Sequence, residues 1–204
     1  MAVDEMFWRR AVVCAGALIY WGGVHIQGRR IRRRIGRSPN LKPRNARERM
    51  LWAGWLLVVV LWIGQPFVAG RADWPAFRIH PACLHPAGLV GGILLTLAGY
   101  AATIWCYVTM GTAWRIGINL NEKNRLVTDG PFRFIRHPIY AFQSVMLLGA
   151  MLLLPTICSA AVVVVHLLCV VIKARDEEAY LLTVHGGDYQ QYMGRTGRLL
   201  PRIR

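Results

Sequence analysis

The chain has 204 residues, of which 55% are hydrophobic and 17% charged, and its formal net charge is +15. Average soluble domains contain about 25% charged residues, and here the apolar residues also come in blocks, so the composition indicates a polytopic membrane protein. Most Lys and Arg residues lie between the apolar blocks, as the positive-inside rule predicts, which argues against nucleic-acid binding.

Three apolar runs in the N-terminal half are each long enough for a membrane helix. We predict a first span over Ala11–Ile26, a second over Met50–Ala69 and a third over Leu84–Met110. The third is rich in glycine and alanine, which allow a neighbouring helix to approach closely. Between the first two spans, Gly28–Arg49 is predicted to be a basic loop that fixes the topology, with binding of anionic lipid headgroups as the alternative.

The short loop before the third span contains His80 and Cys83, and His85 follows at the start of that span. Their spacing is similar to that of metal ligands, but two prolines interrupt the segment and no fourth ligand is near. We therefore predict no metal site in this chain.

A polar, basic loop, Asn119–Tyr140, separates the third span from the next apolar run. It ends in Arg136-His137-Pro138-Ile139-Tyr140, and a proline suits the first position of a helix because its missing N–H is not needed there. His137 is therefore predicted at a helix N-terminus. Unpaired N–H groups and the positive end of the helix dipole favour an anion or a carboxylate at such a place.

Two further spans are predicted over Pro138–Leu154 and Thr156–Lys173. Pro155 between them leaves room only for a tight reversal, so the two should form an antiparallel hairpin. The hairpin returns the chain to the side where it began, and it should bring the segment after Lys173 beside His137.

The distribution of positive charge predicts the topology. Of the 25 Lys and Arg residues, 21 lie in the first loop, the central loop and the C-terminal tail. The rule places these segments in the cytosol and the N-terminus outside. The prediction is an all-α integral membrane protein of about five transmembrane helices, the last two forming a tight hairpin, with the polar site on the cytosolic side.

Five ordered elements of the second half resemble the isoprenylcysteine carboxyl methyltransferases and the wider group of small membrane methyltransferases that includes phospholipid methyltransferases. The elements are Leu126-Val127-Thr128-Asp129-Gly130-Pro131-Phe132-Arg133, then Arg136-His137-Pro138-Ile139-Tyr140, an apolar hairpin, Glu177-Glu178 with Gly186-x-Asp188-Tyr189-x-x-Tyr192, and Leu199-Leu200-Pro201. The resemblance covers about residues 111–201. We therefore divide the chain into an N-terminal region of three spans, residues 1–110, and a methyltransferase-like region, residues 111–204.

The resemblance implies an enzyme that binds S-adenosylmethionine in a cytosolic pocket and methylates a membrane-embedded acceptor. It implies that His137 and Glu177 position the reactants, and that Lys173 stands where relatives can carry an arginine for a substrate carboxylate. The implied cofactor-binding residues are Asn124, Arg125, Leu126, Val127, Phe132, His137, Pro138, Ile139, Tyr140 and Glu177.

Several acceptors and functions stay open at this point. Carboxyl O-methylation of an isoprenylcysteine comes first, and a phospholipid amine, a quinone-like lipid or a small thiol are alternatives. A nicotinamide-dependent membrane reductase on a related scaffold and a non-enzymatic membrane protein are the other classes. Lipid or lipidated acceptors and membrane lipids are the expected partners, without nucleic acid, and the sequence does not indicate an oligomeric state.

Overall fold

The computed structural model describes residues 2–36, 38–39, 43, 45–71, 73–79, 84–115 and 125–202. Within these ranges the secondary structure is helical without β-strands, and one isolated parallel bridge joins Ile135 to Gly197. The α-helices of the described residues are α1 (Ala2–Ile35), α2 (Ala46–Val68), α3 (Pro86–Met110), α4 (Pro138–Leu153), α5 (Ile157–His185) and α6 (Gly187–Arg195).

Four of the described helices, α1, α2, α3 and α5, are long and apolar enough to cross a membrane. The fifth apolar helix, α4, has 16 residues. At 1.5 Å per residue it is about 24 Å long, somewhat shorter than a hydrocarbon core of about 30 Å. α4 and α5 form the expected hairpin around Pro155, where the Thr156 hydroxyl accepts the Ser159 N–H and so caps α5. The predicted class, an all-α integral membrane protein, is confirmed.

The prediction of a loop over Gly28–Arg49 is wrong at both ends. α1 continues to Ile35 and α2 already begins at Ala46. Arginine is a good helix former, and the side chain of Ile31 is only 2% exposed, so packing and propensity together outweigh the flexible Gly28. The arginines of residues 29–34 therefore stand on a helix that extends the first span.

Small residues allow α3 and α4 to pack at close range. A methyl group added to Gly99 of α3 would lie 2.6 Å from Cγ of Met146 and 2.8 Å from the carbonyl oxygen of Phe142, both in α4. A methyl group at Gly92 would meet the Gly149 carbonyl at 2.9 Å. Backbone touches backbone here, so a side chain larger than hydrogen cannot be accommodated without moving a helix. This contact fixes α4, whose first turn belongs to the site described below.

We expect Gly99→Ala to destabilise the protein by about 1–3 kcal/mol, the usual cost of overpacking a tight interior. Gly91→Ala is the matched control, because its new methyl group would meet only Leu152 Cδ1, at 3.8 Å. Thermal unfolding of the detergent-purified variants measures the difference. Equal melting temperatures for the two alanine variants would contradict the close packing.

A buried arginine joins the helix ends on the side opposite to the central loop. Arg9 of α1 is 0% exposed and donates hydrogen bonds to the carbonyls of Leu152 (3.2 Å), Leu153 (3.3 Å) and His85 (3.0 Å). These carbonyls belong to the last turn of α4 and to the residue before α3. The N-terminal end of α1 is thereby fixed to the ends of two other helices.

Candidate functional site

A cavity of about 520 Å³ lies where α1, α2, α3, α4, α5 and α6 converge near the central loop. Its volume is within the range of about 300–1,000 Å³ that is usual for pockets that bind small molecules. Eleven of the chain's 21 aromatic residues line it. They are Tyr20, Trp21, Trp52, Trp55, Tyr107, Trp114, Phe132, Tyr140, Tyr180, Tyr189 and Tyr192.

The structure brings most of the sequence-predicted site residues together around this cavity. Asn124 lies outside the described residues. Lys173 is buried in α5, at 8% exposure, and is not among the lining residues. The lining residues from the predicted set are Arg125, Leu126, Val127, Phe132, His137, Pro138, Ile139, Tyr140 and Glu177.

A carboxylate and an open helix N-terminus face each other at one end of the cavity. Oε1 of Glu177 accepts a hydrogen bond from the Tyr140 hydroxyl at 2.8 Å, and Oε2 lies 3.4 Å from Nδ1 of His137. His137 precedes the first residue of α4 without capping it through its side chain, and its ring stacks on that of Tyr140 with centroids 5.7 Å apart. The N–H groups of Ile139 and Tyr140 have no hydrogen-bond partner among the described residues. This end of the cavity can therefore bind a positive and a negative group at the same time.

A second carboxylate lies behind His137. Glu178 is 3% exposed, and its oxygens accept hydrogen bonds from Nε of Arg136 (2.8 Å) and Nη2 of Arg198 (2.6 Å). Its Oε1 also lies 3.4 Å from Nε2 of His137. Arg136 donates in addition to the carbonyl of Thr196, so it joins the segment before α4 to the residue after α6. Glu178 is thus fully occupied by protein groups, whereas Glu177 faces the cavity.

The charge of His137 depends on these two glutamates. Burial disfavours the imidazolium, but Glu177 and Glu178 beside the ring more than offset that cost, and the pKa of His137 is raised above its ordinary value. Without a ligand, the ring therefore keeps its proton to higher pH than a free histidine does.

We expect the ligand-free protein to lose stability as the pH rises through this raised pKa. The contribution of the imidazolium is fully present below the unfolded-state pKa of about 6.5 and is lost above the folded-state pKa. The melting temperature of the wild type should fall towards that of His137→Gln as the pH rises from about 5.5 to about 9. Parallel curves for the two proteins would contradict the raised pKa.

The sequence interpretation missed the part of the site that the first two spans supply. It placed no cofactor-binding or catalytic residue in residues 1–110, yet Tyr20 and Trp21 of α1 and Trp52 and Trp55 of α2 line the cavity. The ring centroids of Trp55 and Tyr140 lie 5.7 Å apart. A signal existed in the aromatic residues that recur on one face of α2, but only the packing shows that this face meets the N-terminal end of α4. The division at residue 110 therefore does not separate the cavity from the N-terminal region.

Comparison with known proteins finds a family whose sequence model matches part of the chain. The sequence model of the isoprenylcysteine carboxyl methyltransferase (ICMT) family matches residues 92–183. The match begins within α3 and ends within α5, so it includes His137, Tyr140, Glu177 and Glu178 but stops before α6. The resemblance predicted for about residues 111–201 is confirmed over residues 111–183, and the elements after residue 183 lie outside the match.

Two relatives are similar over a longer stretch of the chain. The nickel-cobalt-cadmium resistance protein NccN of Alcaligenes xylosoxydans xylosoxydans is 25% identical over 146 residues, and the cobalt-zinc-cadmium resistance protein CzcN of Cupriavidus metallidurans is 25% identical over 147 residues. Each alignment covers 72% of this chain, which spans 62% of the length of each relative. The described residues contain no group of three or more His, Cys, Asp or Glu placed to hold a metal ion.

Proposed function

We propose that this chain, whose residues 92–183 match the ICMT family, is an integral-membrane methyltransferase that uses S-adenosylmethionine. The observation that carries the proposal is the position of Glu177 opposite the open N-terminus of α4 in one cavity. The amino-acid end of the cofactor carries an ammonium and a carboxylate on the same carbon. An ionised glutamate suits the first, and free N–H groups at a helix N-terminus suit the second.

The rest of the cavity fits the other parts of this cofactor. Aromatic rings can stack on adenine and attract the positively charged sulfonium through cation–π interaction. The Tyr189 hydroxyl is buried without a hydrogen-bond partner in the described part of the chain, and Tyr189 lines the cavity. Buried polar groups are seldom left unpaired, so this hydroxyl supports a polar ligand in this place.

The mechanism asks little covalent chemistry of the protein. S-adenosylmethionine supplies an electrophilic methyl group bound to a sulfonium sulfur. Glu177, Tyr140 and the first turn of α4 would orient the amino-acid end, while the aromatic walls keep water out and the acceptor in line. A carboxylate acceptor has no proton to lose. For an amine or a thiol, Glu177 or His137 is close enough to the cavity to accept the proton.

We propose that the acceptor is a lipid or a lipidated molecule that enters from the bilayer. Trp52 and Leu56 line the cavity and are 45% and 63% exposed on α2, a helix long enough to span the membrane. Isoprenylcysteine-like carboxylates are the first acceptors to test. Because Lys173 does not line the cavity, a different group would have to hold such a carboxylate, and amine and thiol acceptors are therefore tested alongside.

Methyl transfer from labelled S-adenosylmethionine tests the proposal. Purified protein in lipid is incubated with host membrane extract, and the products are separated into protein, lipid and volatile fractions. We expect label in one fraction, its loss in His137→Ala, and its retention in His25→Ala, a control at an exposed histidine of α1 outside the cavity. No label in any fraction, together with no cofactor binding by calorimetry, would remove the methyltransferase assignment.

The relatives' names point to a biological setting for this activity. Both are described as proteins of resistance to cobalt, cadmium and a further metal. We propose that this chain contributes to metal tolerance through a methylated membrane product. To test this, a deletion strain is complemented with the wild-type gene or with Glu177→Gln. Growth on cobalt or cadmium then measures whether metal tolerance depends on Glu177. Equal rescue by the two genes would show that tolerance does not depend on the cavity.

A further inference from the structure

The cavity is closed on one side by the C-terminal segment instead of a transmembrane helix. Tyr189 and Tyr192 of α6 line the cavity and are 1% and 2% exposed. The Tyr192 hydroxyl donates a hydrogen bond of 2.6 Å to the carbonyl of Phe132, in the segment before α4. We call residues 187–198 the C-terminal strap. This strap lies outside the range that matches the family, which ends at residue 183.

Backbone hydrogen bonds fasten the strap beside the start of α4. The Gly197 N–H donates to the Phe134 carbonyl (3.3 Å), and the Gly197 carbonyl accepts from the Arg136 N–H (2.8 Å). The Arg198 carbonyl accepts from the His137 N–H at 3.1 Å. The residue that precedes α4 and faces the cofactor end of the cavity is therefore held in place by the strap.

Glu178 forms ion pairs with both sides of this contact, with Arg136 before α4 and with Arg198 at the end of the strap. Its Oε1 accepts from Nε of Arg136, while its Oε2 accepts from Nε (3.0 Å) and Nη2 (2.6 Å) of Arg198. The Arg198 side chain is 34% exposed, whereas that of Glu178 is 4% exposed. Hydrogen bonds between ionised partners are the strong ones, and this one can break by a movement of Arg198 towards solvent.

The strap is connected to α5 by two consecutive glycines. Gly186 ends α5 with a φ of +52°, and Gly187 begins α6 directly after it. Beyond the neighbouring backbone, neither glycine has an atom within 4 Å of the position where a Cβ would stand, so this side of the joint is open. A strap with two glycines at one end and an ion pair at the other can swing as a unit.

We propose that Glu178 and Arg198 are positioning residues that hold the C-terminal strap over the cavity and set the rate at which the cofactor enters and leaves. We call the ion pair between Glu178 and Arg198 the latch. The gating role rests on the proposed function, whereas the latch itself does not. The walls that α1 and α2 contribute belong to helices other than the strap, so we expect this membrane side of the cavity to be unchanged when the strap opens.

Hydrogen exchange of the ligand-free protein tests the latch. We expect Arg198→Ala to accelerate amide exchange of residues 187–198 by about 10–100-fold, the loss expected for one charge-assisted hydrogen-bond pair. Arg198→Lys should restore part of the protection, because it keeps the charge and loses the two-nitrogen contact. Arg195→Ala, an exposed strap arginine outside the cavity lining, is the matched control and should exchange like wild type. The latch would be overturned if residues 187–198 exchanged in Arg198→Ala at the wild-type rate, or if they exchanged in Arg195→Ala as fast as in Arg198→Ala.

Cofactor dissociation tests the gate. The dissociation rate of S-adenosylmethionine should rise in Arg198→Ala by a factor similar to that of the exchange rate, with the KM for the acceptor unchanged. A merely structural defect would alter both the dissociation rate of the cofactor and the KM for the acceptor. Faster exchange with an unchanged dissociation rate would overturn the gating role and leave the latch. If the wild-type protein binds no cofactor, the proposed function and the gate fall together, while the exchange comparison still decides the latch.

Discussion

Replacing Glu177 with glutamine is expected to weaken binding of S-adenosylmethionine by about 100-fold, which corresponds to about 2.7 kcal/mol. Glu177 is the carboxylate among the lining residues of the cavity, and the ammonium of the cofactor would lose its ionic partner there. The amide keeps the size of the side chain and its ability to accept the Tyr140 hydroxyl, so the change isolates the charge. Calorimetry of protein in nanodiscs measures the affinity.

The adjacent acid provides a matched control for this change. Asp176 pairs with Arg47 of α2 at 2.9 Å, and the two side chains are 30% and 62% exposed. Such a surface pair contributes little, about 0–1 kcal/mol, and Asp176 does not line the cavity. Asp176→Asn should therefore bind the cofactor like wild type. Equal losses in both variants would indicate a long-range charge effect, and full affinity in Glu177→Gln would remove Glu177 from the cofactor site.

The helices could be predicted from the sequence wherever an apolar run or a helix-starting residue marks them locally. Pro138 begins α4 as expected, and α5 continues beyond Lys173 to a glycine at residue 186. The extension of α1 through residues 29–35 could not be recognised, because a dense arginine cluster after a span is typical of a loop as well. What decides the conformation is the burial of Ile31, which depends on its neighbours in the folded protein.

The site was predictable where its residues are adjacent in sequence. His137 to Tyr140 form one turn at the start of α4, and the hairpin returns Glu177 to them. The walls from α1 and α2 were not predictable, since no local pattern tells which face of a span meets which helix. Lys173 shows the same limit. It lies four residues from Glu177, so both side chains are on one face of α5. About 6 Å of helix separates them, and the cavity includes Glu177 but not Lys173.

Arg9 is one of the four Lys and Arg residues outside the three segments predicted to be cytosolic, and its replacement is expected to cause one of the largest losses of stability. Its guanidinium satisfies carbonyls of Leu152, Leu153 and His85 and pairs with Glu5 at 2.8 Å. Near a membrane, few waters can replace it, and each buried carbonyl left unpaired costs about 1–3 kcal/mol. For Arg9→Met we expect a loss of about 3 kcal/mol, or a fall of about 10 °C in the melting temperature.

Two further variants separate the hydrogen bonds of Arg9 from its charge. Arg9→Lys keeps the charge but has no planar fork to reach carbonyls of two helices, so its melting temperature should lie between wild type and Arg9→Met. Arg71→Met removes an exposed charge near the same helix ends and should melt like wild type. If Arg9→Lys were as stable as wild type, the charge alone would account for the effect. If Arg71→Met were as unstable as Arg9→Met, the cause would be topology, because fewer positive charges would then distinguish the two sides of the membrane.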